Sequence, residues 1–71
     1  MHEHKRHTAL LALRDARWRE LERQLAQYQG AARQLGANHF KVAHLMGRLQ
    51  RARQAAQQVE ELVAAVERQQ A

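Results

Sequence analysis

The chain has no cysteine and no proline, and serine is missing as well. Without cysteine there is no disulfide framework and no thiolate-held zinc, which fits a reducing compartment. Without serine or cysteine, and with a single threonine (Thr8), aspartate (Asp15) and tyrosine (Tyr28), the usual nucleophiles are nearly gone. Nor is there a glycine-rich loop to cradle a phosphate. A catalytic constellation would have to be assembled from Glu, His and Arg, so the chain is expected not to be an enzyme and to use no cofactor and no small-molecule substrate. Long apolar runs are absent too: nothing approaches the ~20 residues that span a bilayer. The "ALLAL" stretch behind Lys5 and Arg6 is too short for the core of an export signal. The chain therefore reads as soluble and cytoplasmic.

What remains is 71 residues dominated by Ala, Leu, Gln, Arg and Glu, all good helix formers. They make a single domain over residues 1–71 that is too short for a large private core. With the usual staples missing, stability must come from tight helix packing or from another chain. The opening "MHEHKRH" gathers His2, His4 and His7, but a chain end supplies neither fixed geometry nor supporting partners for a metal. Residues 1–7 are read as a frayed terminus and no metal site is expected.

Apolar residues recur on a seven-residue grid in two blocks. In the first, Leu11, Trp18, Leu25 and Ala32 occupy position a, and Arg14, Leu21, Tyr28 and Leu35 occupy position d. In the second, Val42, Leu49, Ala56 and Val63 stand at a, and Leu45, Ala52, Val59 and Val66 at d. Between the blocks, Gly36 suits the positive-φ residue that ends a helix, and Asn38 suits the cap that opens the next. The expected fold is all-α: an antiparallel two-helix hairpin of coiled-coil type, with helix one at about 8–35, a turn at 36–38 and helix two at about 39–69. A short connection forces the antiparallel arrangement, because it cannot carry the chain to the far end. Folding one grid onto the other pairs large with small: Ala32 with Leu45, Leu25 with Ala52, Leu21 with Ala56 and Trp18 with Val59. Arg14, polar on the grid, is expected to lie along Val63 and reach water or Glu67.

Charge is uneven. The chain carries 12 Lys+Arg against 7 Asp+Glu. Between Arg23 and Val59 stand Arg23, Arg33, Lys41, Arg48, Arg51 and Arg53 with no acid among them. Apolar residues also remain off the grid: Leu10, Leu13, Phe40, Met46 and Leu62, with Ala31 and Ala55. Several of them share the g flank, so a protein partner is expected. One form of that partner is a second copy, giving a self-associating hairpin that builds a homodimeric four-helix bundle. The basic block would also suit nucleic acid, but no reading motif accompanies it and the Trp and Tyr lie on the core grid.

The stretch "GANHFKVAHLMGRLQRARQAAQQVEELV" has a glycine-containing turn, an aromatic two residues after an amide, and a long periodic second helix. It resembles the small helical-hairpin co-chaperones of bacterial type III secretion needle subunits (YscE/SsaE/EscE type). The likeness covers about residues 21–66, and the His-rich start and the basic block depart from it. It implies a bacterial, cytosolic, non-enzymatic hairpin that packs against a tetratricopeptide-like chaperone, the pair holding the needle subunit before export. Leu10, Leu13, Phe40, Met46 and Leu62 would then contact the partner, and Arg48, Arg51 and Arg53, taken as the basic tip, would steer assembly.

Overall fold

A computed structural model describes the backbone of residues 2–70 and the side chains of residues 5–70. Two helices, α1 (His2–Leu35) and α2 (Phe40–Gln70), lie side by side and antiparallel in a rod of 51 × 14 × 13 Å. The length is what 34 residues of α-helix at ~1.5 Å per residue require. The chain is an all-α helical hairpin. No helix among the described residues is long and apolar enough to cross a membrane.

α1 begins at His2, ahead of the expected start near residue 8. Nothing in residues 2–7 breaks a helix, and His7 Nε2 lies 3.7 Å from Glu67 Oε1, so the last turns of α2 give the first turns of α1 something to lie against. The side chains of His2 and His4, expected in a solvated end, fall outside the described residues.

The reversal is built on Gly36, whose φ of 87° suits a residue without a Cβ. Its N–H closes the last turn of α1 on the Ala32 carbonyl at 3.0 Å, and the His39 N–H returns to the Gly36 carbonyl at 3.2 Å. The cap of α2 is His39, one residue beyond the expected Asn38. Its carbonyl accepts from Val42 and Ala43, and its ring Nδ1 accepts the Lys41 N–H at 3.1 Å, which answers one of the free donors of the first turn.

On α2 the grid is buried as expected: Val42, Ala56, Val59 and Val63 form the core. On α1 the buried face is turned toward the d line, away from the midpoint between a and d. Leu21 and Tyr28 still face α2, but the neighbouring line that turns in is Leu10, Gln24 and Ala31, and Gln24 is the most enclosed side chain on α1 at 5% exposure. Trp18 and Leu25, expected in the core opposite Val59 and Ala52, are turned to the flank and are each 41% exposed. The physical reason is height. The middle of α2 presents Ala52, Ala55 and Ala56, a low surface that suits close approach by small or slender side chains and not by an indole. At the flank the Trp18 Nε1–H donates to Glu60 Oε1 at 2.8 Å. Arg14 follows it to the same carboxylate, with Nε 3.8 Å away, and not to Glu67.

The three glycines should respond with opposite signs. Gly36→Ala places a Cβ at positive φ and is expected to lower stability by about 1–2 kcal/mol. Gly30→Ala meets open space and Gly47→Ala meets only the end of Arg51 at 3.7 Å, so each is expected to raise stability by about 1 kcal/mol through helix propensity. His39→Ala should cost about 1 kcal/mol, and His39→Asp should recover it. Urea titration followed by far-UV circular dichroism measures all five.

Candidate protein-binding surfaces

The turned face of α1 divides the exposed side chains into three regions. On one flank, Trp18 and Leu25 stand two helical turns apart, with half-buried Leu11 and Ala32 continuing the line. Glu60 anchors this flank from α2 through Trp18 and Arg14. The neighbouring Asp15 is met by Arg19 at 3.7 Å, one turn along α1.

The opposite flank has an apolar end and a basic middle. Near the open end of the hairpin, Leu13 is 38% and Leu62 53% exposed, with Leu10 half-buried beside them on the same face. Further toward the turn the helices form a groove of about 300 Å³ lined by Arg17, Glu20 and Gln24 from α1 and by Arg48, Arg51, Ala52 and Ala55 from α2. Within it the Gln24 amide Nε2–H donates to Glu20 Oε1 at 2.7 Å, and Arg23 pairs with the other carboxylate oxygen. The Gln24 hydrogen bond foremost, then that of Arg23 and the charges of Arg23 and Arg48, hold the Glu20 carboxyl below its usual range. Because Nε2 must face the carboxylate, Gln24 Oε1 points away from it, enclosed and without a donor.

The third region is the turn. Phe40 is 73% exposed, its ring stacked on His39 at 4.7 Å between centroids, and with Lys41, His44 and Leu45 it lines a shallow apolar hollow. Leu35 is exposed close by in sequence.

The eight side chains expected at a partner interface are thus not one surface. Leu10, Leu13 and Leu62 share one flank near the open end, and Arg48 and Arg51 line the groove on the same flank. Phe40 stands alone at the turn. Met46 is half-buried on the Trp18 side of the helical wheel, and Arg53 lies on another face with Gln50, Gln54 and Gln57. The three arginines are not a tip: they stand two to four turns into α2. Trp18 and Leu25, expected in the core, and Arg17, Glu20 and Gln24 also line these surfaces. The four-residue spacing of Glu20 and Gln24 was the available signal for the last two.

Replacing Gln24 with Leu, of similar size, removes an enclosed acceptor that has no donor, a defect worth ~1–3 kcal/mol. After the loss of the part-buried bond to Glu20, the melting midpoint is expected to rise by the equivalent of about 1 kcal/mol. Lowering the pH through the carboxylate range protonates Glu20, whose ionised form the fold favours. Stability from that site is therefore present above the range and lost below it, and the Gln24→Leu variant should lose less on acidification.

Comparison with family models, with curated proteins and with solved structures finds no match to the chain.

Proposed function

We propose that this hairpin is a non-enzymatic protein-binding module that completes its hydrophobic core on another protein. One observation carries the reading: the fully buried apolar side chains are all small, while six large ones stay exposed. The core is three valines and an alanine, while Leu13, Trp18, Leu25, Leu35, Phe40 and Leu62 are all more than a third exposed. A two-helix unit with that distribution has little holding its helices together and much to gain from a partner.

The resemblance over about residues 21–66 supplies a concrete form. The hairpin acts in the bacterial cytosol as a co-chaperone, docking on a tetratricopeptide-like chaperone that holds a type III secretion needle subunit before export. The apolar end at Leu10, Leu13 and Leu62 and the aromatic at Phe40 are the contacts in this reading. Burying Leu62 and Phe40 would each contribute about 1.5–3 kcal/mol. The seven-residue spacing of Leu11, Trp18 and Leu25 favours a second reading, in which two copies bury that stripe in a four-helix bundle.

Sedimentation velocity and circular dichroism separate the two. For the co-chaperone, the isolated chain should melt broadly at low temperature with a midpoint independent of its concentration. It should sharpen and rise on mixing with the chaperone, and Leu62→Ala or Phe40→Ala should weaken that complex by about tenfold or more. A stable dimer whose melting midpoint climbs with chain concentration, and whose assembly Trp18→Ala abolishes, would establish the bundle instead.

A further inference from the structure

We propose that the groove between Arg17, Arg48 and Arg51 is a docking site for an acidic helix of a partner protein, the guanidinium groups receiving glutamate or aspartate side chains three or four residues apart. This rests on the reading of the chain as a protein-binding module and names the chemistry of what it binds.

Arg48 and Arg51 are three apart on α2 and so project from neighbouring turns of one face, while Arg17 lines the far end of the groove from α1, near the level of Glu60. The spacing matches carboxylates at i and i+3 or i+4 on an opposing helix, and a guanidinium holds a carboxylate through two parallel hydrogen bonds. The one carboxylate already in the groove, Glu20, is held by Gln24 and Arg23 and also feels the charge of Arg48, so a single acid serves several arginines. No other acid stands between Arg23 and Val59 to add counter-charge.

Gln24 lines the groove at 5% exposure, its Nε2–H held by Glu20. The shape also favours protein over nucleic acid. The Glu20 carboxylate and the Ala52 and Ala55 methyls lie among the arginines, and a continuous polyphosphate would have to run across them, whereas separate side chains on a helix need not. A groove of about 300 Å³ holds a few side chains, not a strand.

The test titrates a labelled, alanine-based helical peptide bearing glutamates at i and i+4 into the full chain, below its melting midpoint, and follows fluorescence anisotropy. The same peptide carrying glutamines and a generic DNA duplex are run beside it. The glutamate peptide should bind and the glutamine peptide should not. Arg48→Gln with Arg51→Gln should weaken binding about tenfold or more, while Arg53→Gln, on another face, should change it by less than about twofold. Circular dichroism confirms that each variant keeps the fold. Reversing both charges, Arg48→Glu with Arg51→Glu, should transfer binding to a peptide with lysines at the same spacing. The proposal is overturned if Arg53→Gln weakens binding as much as the double variant, if the reversed pair does not accept the lysine peptide, or if the duplex binds with sensitivity to Arg48 and Arg51 and the peptide does not. A chain that binds the peptide through the groove but never orders on a chaperone keeps the groove and loses the functional reading. A double glutamine variant that binds the chaperone as tightly as the parent does the reverse.

Discussion

A surface of valine and alanine accepts a neighbouring helix at close range but has no room for an indole, and the arrangement of the hairpin follows from that constraint. α2 offers Val42, Ala56, Val59 and Val63 as its buried line. α1 carries two ways of meeting it, since Leu21 and Tyr28 belong to both. One pairs them with Trp18 and Leu25, the other with Gln24 and Ala31. The second is adopted because small and slender side chains let the helices close, and dispersion between close-packed atoms falls steeply with a gap. Trp18 then lies against the side of α2, its ring partly in water and its N–H on Glu60.

The polar contacts hold that rotation in place. Turning α1 back would carry the indole N–H away from Glu60, and a buried donor without an acceptor costs ~1–3 kcal/mol. Arg14 at the same carboxylate, and His7 opposite Glu67 nearer the open end, add constraints along the rod. Each is weak at the surface, but they act at different levels of the rod, so they oppose sliding as well as turning.

The turn, the antiparallel path and the buried line of α2 were all legible in the sequence, because each follows from a local signal: a glycine between two helix-forming blocks, a connection too short to cross the rod, and one clean line of valine and alanine. The rotation of α1 was not. Pairing large with small across the two grids detects a slide of one helix along the other and is blind to a turn about its axis. With apolar residues at 10, 11, 13, 18, 21, 25 and 28, α1 has no single narrow stripe to decide the matter. The groove was hidden because its lining comes from separated stretches, residues 17–24 of α1 and 48–55 of α2. At the cap, Asn38 and His39 both carry a suitable acceptor. The hydrogen bond from His39 to Gly36 places the later residue at the start of α2.

Helical shape and tertiary stability are separable in a chain of this kind. Ala, Leu, Gln, Arg and Glu keep two helices of more than thirty residues formed at little cost per residue, so the rod does not need a large core to exist. It does need one to persist as a fixed hairpin, and the side chains able to supply it, Trp18, Leu25, Phe40 and Leu62, face outward on different sides. No closer pairing of α1 with α2 buries all of them, because two helices share a single seam. Only a surface from outside the hairpin reaches the flanks and the turn, and such a surface would gain the burial that the hairpin alone forgoes.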